Sequence, residues 1–586
     1  MLVGGCAGPY FSRVTASAPR TRPACRWVFP AAADAAVVSQ LARELLLPES
    51  ICRLLAARGH VPSDTAKRFL RPRLDQLHDP VLMMELDRAV ERIVRALRAG
   101  ETIMVHGDYD VDGICSTTLL TRALRGMGGK VVPFIPHRLL DGYDLGSAGV
   151  NAALAAGAGV VITADCGTSA REPVRQLQSA GVDVIVTDHH LPGGELPPAL
   201  ALLNAKRPGC VYPDKDLAAV GVAFKLALAV ARAMGANENP ILGMLDLVAL
   251  ATIADVAPLR GENRVMTRYG LRLLKETQNI GLRALMHASG LDAKTLTAGR
   301  VGFILAPRLN AAGRLGHALR GVELLLSRDE HDANVIAREL EELNRRRQGE
   351  DQRTADRARE MVATLDLEAT YGIVLAEQGW HPGVIGIAAS RIVEEFGRPT
   401  ILISLDGEEG KGSGRSISAF DLHAALGESR DLLLRYGGHR AAAGLTIARD
   451  RVEDFASRFN DVARRWLDPD DLVPELHIDL EVRLDDVTPE LEAILRHLEP
   501  CGVGNPSPVL VARQAHLAAP PQLVGRTGLK LRLARARSDF IVIGWEMGSR
   551  ASELTMEQPF DIAFRLERDE WNGEFRLQGR LADFRP

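Results

Sequence analysis

Short apolar segments alternate with amphipathic ones between residues 90 and 230. The apolar segments are rich in β-branched residues and are bounded by glycine or polar residues: Thr102–Val105, Lys130–Ile135, Gly159–Thr163 and Val182–Thr187. The segments between them repeat apolar residues at helical spacing: Ser116–Gly126, Val150–Ala156 and Ala170–Ala180. Buried parallel strands joined by helices show this alternation. The pattern predicts βαβ units and a doubly wound sheet of the α/β class.

Residues 331–360 predict a different element, because they contain fifteen charged residues, eight acidic and seven basic. Apolar residues recur among them at Ile336, Leu340 and Leu343. This composition is typical of one long, largely solvated helix that connects two domains. We expect no chemistry from it.

The remainder of the chain shows three patterns. Residues from about 35 to 85 have helical spacing. Residues 371–465 return to the α/β pattern, with predicted strands at Tyr371–Ala376 and Thr400–Ser404. From about residue 472 apolar and polar positions alternate in short runs: Leu529–Leu533, Phe540–Gly544 and Phe575–Leu577. Such runs predict a five-stranded β-barrel at the end of the chain.

Composition excludes several classes of protein. The 586 residues are 46% hydrophobic and 25% charged, which are globular values and exclude wholesale disorder and collagen-like repeats. A chain of this length predicts three to five domains. The formal net charge of −4 argues against a surface that binds polyanions everywhere, but it is compatible with a local basic groove.

Cysteine usage and the first residues bear on location. The seven cysteines are scattered and form no CxxC pair, which predicts a reduced, cytoplasmic protein without structural zinc. No stretch approaches the roughly 20 uninterrupted apolar residues of a membrane span. The first 33 residues contain four arginines and no acidic residue, as a transit peptide would. We favour a disordered tail, because these residues show no clear amphipathic pattern.

Carboxylates and histidines follow three of the predicted strands. HGDYDVDG follows the first strand, TADCGT the third and TDHH the fourth, and IADVAP comes later. These motifs contain His106, Asp108, Asp110, Asp112, Asp165, Asp188, His189, His190 and Asp255. Ligands of an open parallel sheet gather beyond the carboxyl ends of its strands. Carboxylates brought together there repel one another, and divalent cations relieve that repulsion.

The kinds of ligand indicate which cation. Oxygen-rich ligands with a few imidazoles suit Mn²⁺ or Mg²⁺ better than structural zinc, and we expect Cys115 and Cys166 to be small buried residues. The candidate ligands exceed the needs of one ion. Two ions that share a bridging carboxylate fit better, and such pairs serve in-line displacement at phosphorus. Each motif alone is weak, since Asp often caps helices and forms turns; the order of all four carries the prediction.

The same motifs resemble a known family. HGDYDVDG, TADCGT, TDHH and IADV are similar to the four motifs of the DHH phosphoesterase superfamily. Within it, four segments resemble the RecJ family of bacterial single-stranded-DNA exonucleases: Pro307–Gly316, Trp380–Arg391, Lys411–Ser416 and Gly437–Gly444. Cys501–Val509 and Leu529–Leu533 resemble the C-terminal oligonucleotide-binding (OB) barrel of that family. The resemblance runs from about residue 40 to the end.

The resemblance implies a domain order. It comprises a disordered tail (1–36), an N-terminal helical segment (37–89), a DHH catalytic domain (90–325), a connecting long helix (326–368), a DHH-associated substrate-binding α/β domain (369–467) and an OB-fold nucleic-acid-binding domain (468–586). It also implies a 5′→3′ exonuclease on single-stranded DNA that uses two Mn²⁺ or Mg²⁺ ions and releases 5′-mononucleotides in recombination and repair. A single-strand-binding protein and a helicase are candidate protein partners.

Two other functions share some of these features. A phosphoesterase of the same superfamily that cleaves short oligonucleotides or cyclic dinucleotides would have the metal motifs, but it would not need the residues after 472 or the long helix. A non-catalytic DNA-binding scaffold would keep the fold and lose metal ligands, whereas here every expected ligand is present.

Carried over residue by residue, the resemblance implies a role for each polar residue. One ion would bind His106, Asp110 and Asp165, and the other would bind Asp112, Asp165, His189 and Asp255. Asp108 and Asp188 would orient the ligands, and His190 would face the scissile phosphate or hold the metal ligands. The expected substrate-binding residues are Arg138, Arg308, Asn310, Arg314, Arg391, Ser413, Arg415, Gly438 and His439. Small residues around His439 would let backbone N–H groups approach a phosphate.

Two positions depart from the family pattern, and four aromatic residues call for an interpretation. Gly142-Tyr143-Asp144-Leu145 stands where family members commonly have Gly-Tyr-Gly-Leu, and Gly528 stands where a histidine is expected. An Asp near an incoming phosphate would weaken binding unless it points away.

Phe540, Trp545, Trp571 and Phe575 fall in the barrel region. We expect about half of them in the core and the others available for base stacking.

Overall fold

The computed structural model describes residues 25–536, 538–571 and 574–586. The chain forms two compact units. The smaller contains residues 25–30 together with Val473–Glu492 and Pro508–Pro586, and the larger contains Ala31–Leu472 and Ala493–Ser507. The predicted OB domain, 468–586, therefore does not coincide with one compact unit.

The strands are numbered in chain order. They are β1 Arg26–Val28, β2 Thr102–Gly107, β3 Lys130–Phe134, β4 Ala158–Ala164, β5 Asp183–Thr187, β6 Ala201–Leu203, β7 Ile373–Gln378, β8 Thr400–Asp406, β9 Glu409–Arg415, β10 Arg435–Gly438, β11 Ala442–Ala448, β12 Glu475–His477, β13 Leu480–Glu481, β14 Leu510–Ala515, β15 Leu517–Val524, β16 Gly528–Leu533, β17 Phe540–Gly544, β18 Phe560–Trp571 and β19 Glu574–Arg585.

The α-helices are numbered in the same way. They are α1 Ala35–Leu45, α2 Glu49–Ala57, α3 Ser63–Leu70, α4 Leu86–Ala99, α5 Val111–Gly126, α6 Ser147–Ala155, α7 Arg171–Ser179, α8 Ala219–Met234, α9 Asn239–Leu242, α10 Leu245–Ala254, α11 Gly261–Lys275, α12 Ile280–Ala288, α13 Ala298–Arg300, α14 Ala306–Leu315, α15 Leu319–Leu326, α16 Glu330–Val362, α17 Ile385–Phe396, α18 Leu422–Gly427, α19 Val452–Trp466 and α20 Pro489–Leu495.

The first sheet of the larger unit is parallel throughout and has the order β3-β2-β4-β5-β6. Its apolar side chains are buried on both faces between helices, as the continuous apolar runs predict. The four predicted strands are confirmed. The sequence missed β6, which has three residues and is too short to show a pattern.

The second sheet of the larger unit has the order β10-β11-β9-β8-β7, with β7 and β8 parallel and the other pairs antiparallel. Helix α16 precedes it as a single helix of 33 residues, begun by the Asp329 carboxylate, which accepts a hydrogen bond from Asp332 N. The predicted long helix is therefore confirmed. It is less solvated than predicted, because Asn344, Asp351 and Thr354 are buried.

The smaller unit contains the predicted barrel. Its sheet has the order β13-β14-β18-β19-β17-β16-β15. His516 alone separates β14 from β15, so the two form one bent strand. That strand pairs with β18 at one end and with β16 at the other, which closes five strands into the OB topology.

Part of the predicted N-terminal tail is ordered. Arg26–Val28 form β1 and pair in parallel with β12, and Ala35 already begins α1. The tail prediction is thus wrong for residues 25–36, and residues 1–24 lie outside the described residues. Cys52, Cys115, Cys166 and Cys210 are free thiols, and Cys115 and Cys166 are buried as predicted. None of the helices in the described ranges combines the length and apolar composition needed to span a bilayer.

Candidate metal centre

The carboxyl edge of the first sheet brings three Asp residues side by side. Strands β2, β4 and β5 end at Gly107, Ala164 and Thr187, and the next residue in each case is an Asp: Asp108, Asp165 and Asp188. The ladder continues one step beyond the strands. The amide of Asp108 donates to the Ala164 carbonyl and the amide of Asp165 to the Thr187 carbonyl, at 3.2 and 3.0 Å. We call the edge of the sheet at these three positions the metal edge.

The first motif turns from strand to helix within a few residues. Asp110 precedes α5, and its Oδ1 accepts hydrogen bonds from the amides of Asp112 and Gly113, at 2.9 and 3.1 Å. This is a helix N-cap, which fixes the direction of the helix. A Cβ at Gly113 would lie 2.3 Å from the Asp108 carbonyl oxygen, so only glycine allows the close approach.

The candidate ligands fall into three overlapping groups, in each of which the ligand atoms lie within 4.8 Å of one another. The groups are Asp108–Asp110–Asp165, Asp165–His189–His190 and Asp112–His189–Asp255. His189 Nε2 lies 3.3 Å from Asp165 Oδ1 and 3.7 Å from Asp255 Oδ2. Asp165 and His189 each belong to two groups, and the three groups together contain residues of all four motifs.

Three ligand-type atoms of these groups are buried without a hydrogen-bond partner among the described residues: Asp108 Oδ1, Asp165 Oδ1 and His189 Nε2. Buried polar atoms normally have partners, because burial without one is unfavourable. Divalent cations would satisfy all three atoms. The residues present therefore fit Mn²⁺ or Mg²⁺, which accept carboxylate and imidazole ligands.

The pKa values of the clustered carboxyl groups also favour a bound cation. Burial, with repulsion from Asp110, raises the pKa of Asp112 to about 7. Burial, with repulsion from Asp112, raises the pKa of Asp255 to about 9. Burial and the same two neighbours, Asp112 and Asp110, also raise the pKa of Asp165 well above its usual value. A cation reverses this balance by favouring the ionised forms.

The histidine of the first motif lies outside the three groups, although the sequence predicts it as a ligand. His106 Nδ1 lies 3.6 Å from Cys166 Sγ, and the position of a Cβ on Gly149 of α6 would be 2.6 Å from His106 Nε2. That Nε2 is buried and has no hydrogen-bond partner among the described residues. Because His106 is still within β2, its ring packs against α6, whereas Asp108 follows the strand and reaches the edge. The structure thus groups Asp108, rather than His106, with Asp110 and Asp165.

Asp112 has two sets of contacts. Its Oδ2 accepts from the Ala219 amide at 2.9 Å and its Oδ1 from the Val220 amide at 2.8 Å. Both amides belong to the first turn of α8, whose dipole favours a negative charge there. Asp112 therefore anchors α8 and also lies in a group with His189 and Asp255.

Asp188 organises the two adjacent histidines. Its Oδ1 accepts from the amides of His189 and His190 at 2.7 and 3.1 Å and lies 2.7 Å from His190 Nδ1. Burial opposes ionisation of both side chains, but their hydrogen bond prevails: the pKa of Asp188 falls and that of His190 rises to about 9. Burial lowers the pKa of His189 to about 3, which keeps its imidazole neutral, as a metal ligand requires.

Three predicted substrate-binding residues form a second cluster of like charge, which we call the arginine cluster: Arg138, Arg314 and Arg415. Burial, followed by the charges of Arg138 and Arg415, lowers the pKa of Arg314 to about 9. Within the described part of the chain the Arg314 side chain donates only to the Gly383 carbonyl, and Arg415 donates to Ser413 Oγ and the Gly414 carbonyl. No described carboxylate forms an ion pair with any of the three. Such a cluster suits an anion.

The other predicted substrate-binding residues have different surroundings. Arg308 pairs with Glu341 at 2.5 Å and Arg391 with Asp351 at 2.8 Å. Asn310 Oδ1 accepts a hydrogen bond from Val111 N at the start of α5. The structure thus engages these three within the protein. Gly438, the last residue of β10, and His439, the first of the turn to β11, are both exposed.

His439, Tyr143 and Tyr109 also interact with residues of the two clusters, and the last two had no role assigned from the sequence. Burial and then the charge of His190 lower the pKa of His439, so the second sheet reaches toward the metal edge. The Tyr143 hydroxyl lies 3.2 Å from His190 Nδ1, and the Arg138 guanidinium lies 4.7 Å from the centre of the Tyr109 ring. Sequence reasoning noted the 142–145 segment only as a departure, although its position after a predicted strand could have indicated Tyr143.

The aromatic residues of the barrel divide as expected where they can be compared. Phe540 is buried, whereas Trp545 and Phe575 are 61% and 59% exposed. The side chain of Trp571 lies outside the described residues. A Cβ at Gly528, where the family pattern has a histidine, would lie 2.6 Å from the Val524 carbonyl oxygen and 3.4 Å from the Trp545 ring, so the backbone here leaves no room for a side chain.

Comparison with known sequences matches three domain families. The DHH family, N-terminal domain, matches residues 102–252, the DHHA1 domain residues 368–465 and the RecJ OB domain residues 478–583. The protein of Bacillus subtilis (strain 168) called single-stranded-DNA-specific exonuclease RecJ is 37% identical over 549 residues, covering 93% of this chain and 69% of that protein.

Solved structures agree. The crystal structure of RecJ in complex with Mn²⁺ from Thermus thermophilus has a TM-score of 0.82 and 34% identity, covering 96% of this chain and 80% of that chain. The complex of RecJ with Mg²⁺ from the same organism has a TM-score of 0.77 and 32% identity, covering 96% and 78%. The chain therefore belongs to the RecJ family of single-stranded-DNA-specific exonucleases.

Proposed function

We propose that the chain is a metal-dependent exonuclease that hydrolyses the phosphodiester bonds of single-stranded DNA. The observation that carries the proposal is the pairing of two opposite clusters in one unit. Buried carboxylates and His189 Nε2 lack partners at the metal edge, while the arginine cluster lacks carboxylate partners. A divalent cation fits the first cluster and a DNA phosphate fits the second.

The cofactor of this reaction is Mn²⁺ or Mg²⁺. When bound, a pair of such ions activates the attacking water and stabilises the leaving oxygen. We assign Asp108, Asp110 and Asp165 to one ion, and Asp165, His189 and Asp255, with Asp112, to the other. Their mutual distances support this assignment, as do the raised pKa values of Asp165 and Asp255. His106, whose Nδ1 lies 3.6 Å from Cys166 Sγ, stays a candidate for the first ion through its buried Nε2, which has no hydrogen-bond partner among the described residues.

The chain's own residues orient the substrate. The arginine cluster would hold a phosphate of the strand, and its guanidinium groups are restrained because each is packed or hydrogen-bonded. His190, held protonated by Asp188, would present a positive charge to the scissile phosphate. Digestion in the 5′→3′ direction with release of 5′-mononucleotides is part of the proposal and rests on the family resemblance.

The barrel favours long strands over small substrates. Trp545 and Phe575 expose their rings, and bases stack on such rings without sequence preference. A phosphoesterase for dinucleotides would have no use for this surface. We further propose that the protein works in the cytoplasm with a single-strand-binding protein and a helicase, which would supply unwound strands to an enzyme specific for them.

End-labelled DNA tests the proposal. Single strands labelled at either end, and the matching duplex, are incubated with Mn²⁺, with Mg²⁺ or with chelator, and the products are separated by size. We expect mononucleotides from the labelled 5′ end of the single strand first, with either metal. Equal digestion of the duplex, activity in chelator or preference for dinucleotides over long strands would contradict it.

A further inference from the structure

Asp144 occupies a backbone position that does not require its side chain. Its φ is 77°, in the left-handed region, where Asp and Asn are tolerated better than other non-glycine residues. Glycine adopts this conformation without strain. The backbone alone would thus be better served by glycine, so the carboxylate at this position must contribute through its contacts.

One oxygen of Asp144 joins two loops. Its Oδ1 accepts from the amide of Leu145 at 2.8 Å and from the amide of Gly167 at 2.7 Å. Gly167 lies two residues after Asp165, in the loop that begins at the metal edge. Hydrogen bonds to an ionised acceptor are stronger than neutral ones. The Asp144 side chain therefore connects the segment 136–145 to the loop that carries Asp165.

This segment has few other polar connections to the protein. Asp141 Oδ2 accepts from the His137 amide, and the Asp141 amide donates to the His137 carbonyl, so both contacts stay within the segment. Leu140 is 82% exposed. The segment nevertheless carries Arg138 of the arginine cluster and Tyr143, whose hydroxyl lies 3.2 Å from His190 Nδ1.

We propose that Asp144 is a positioning residue of the nuclease: its hydrogen bond to Gly167 fixes the segment that carries Arg138 and Tyr143 beside the metal edge. This inference rests on the exonuclease function proposed above. Asp144 itself does not touch DNA. Where a glycine would leave the backbone flexible, the Asp144 side chain forms a hydrogen bond to the next loop. This hydrogen bond holds Arg138 at a fixed position relative to the metal ligands.

Four variants separate the acceptor from the backbone. Asp144→Asn keeps an acceptor oxygen and tolerates the left-handed conformation, Asp144→Gly keeps only the conformation, and Asp144→Ala keeps neither. Asp141→Gly is the matched control, because it removes a carboxylate that accepts one amide within the same segment. KM and kcat are measured on a 5′-phosphorylated single strand, together with the Mn²⁺ concentration for half-maximal rate and the melting temperature.

We expect Asp144→Gly to raise KM about tenfold, as loss of a hydrogen bond to a charged group does, with a smaller change in kcat. The KM values of Asp144→Asn and Asp141→Gly should stay within about twofold of the wild-type value. Asp144→Asn keeps the acceptor oxygen, and Asp141→Gly changes only an exposed contact. A merely structural role would lower the melting temperature and kcat together without rescue by Asn. Wild-type KM in Asp144→Gly, or that structural pattern, would overturn the inference.

Hydrogen exchange tests the same contact without DNA. We expect the Gly167 amide to exchange faster in Asp144→Gly than in the wild type and to be unchanged in Asp141→Gly, because only the first variant removes its acceptor. Equal protection in all three proteins would overturn the inference. A wild-type protein without exonuclease activity would instead contradict the proposed function, and the exchange result would still decide the role of Asp144.

Discussion

The metal edge and the arginine cluster are two clusters of like charge with opposite sign, the first acidic and the second basic. Both collect like charges in buried surroundings of the larger unit, and burial shifts pKa values toward the neutral forms in both: upward for Asp255 and downward for Arg314. Each cluster is unfavourable by itself and complementary to one part of a metal-bound phosphodiester. Their coexistence shows that the unit is built around ligands of both signs.

The two clusters differ in how the chain assembles them. The metal edge comes from adjacent strand ends, so each ligand directly follows an apolar run in the sequence. The arginine cluster comes from Arg138, Arg314 and Arg415, which are far apart in the chain and lie on a loop, on α14 and at the end of β9. Local motifs therefore reveal the first cluster, whereas only the fold, or a family resemblance, reveals the second.

The largest effect should come from Asp165→Asn, because Asp165 belongs to two of the three ligand groups. We expect loss of nuclease activity on the order of 100-fold or more, as for removal of one electrostatic stabiliser. The stability of the chelated protein should stay the same or rise, because one repelling charge is gone. Nucleotide release and denaturation in chelator measure the two quantities. The exposed control Asp141→Asn should change neither, and a fully active Asp165→Asn would refute the bridging role.

The metal-free protein should lose stability as the pH rises from 7 to 9. Folded Asp255 has a pKa of about 9 and folded His190 also about 9, against 3.8 and 6.5 as reference values, so the folded state holds protons that the unfolded chain has released. Raising the pH withdraws them and lowers the free energy of unfolding. Denaturant titrations in chelator at both pH values test this. Saturating Mn²⁺ should remove or reverse the trend, and a metal-free protein more stable at pH 9 would contradict it.

Arg415→Lys should weaken substrate binding about tenfold through KM, because lysine keeps the charge but cannot reproduce the planar fork. Arg308→Lys is the matched control, since Arg308 already pairs with Glu341. We expect its KM to stay near the wild-type value. Steady-state kinetics on a 5′-phosphorylated strand measures both. Equal effects of the two substitutions would remove the distinction between the arginine cluster and the ion-paired arginines.

The smallest effect should come from Trp545→Ala, which removes a ring that is 61% exposed on the barrel. Loss of one stacking contact should weaken binding of long single strands about fivefold and leave dinucleotide cleavage unchanged. Leu523→Ala, which removes an exposed apolar side chain without a ring, is the control. Fluorescence titration with strands of increasing length measures the difference. If dinucleotide cleavage fell by the same factor, Trp545 would have no role that depends on strand length.

The sequence predicted four of the five strands of the first sheet, the long helix and the barrel, because each has a strong period or a long uniform run. It named the motif carboxylates that the structure brings together; His106, which it also assigned to a cation, lies outside the three groups, and its role as a ligand stays a prediction. The motif spacing does not reveal that β2 continues through His106 to Gly107, and this continuation turns the ring toward α6. The connection from Asp144 to Gly167 was also invisible, since it depends on the conformations of two separate loops.

Calorimetric titration of the chelator-treated protein with Mn²⁺ measures whether the metal edge holds two divalent cations. We expect two ions per chain, with protons released on binding because burial holds the pKa of Asp165 and Asp255 high. Asp165→Asn should bind at most one ion with fewer protons released. Absence of binding, or two ions bound equally well by Asp165→Asn, would contradict the account.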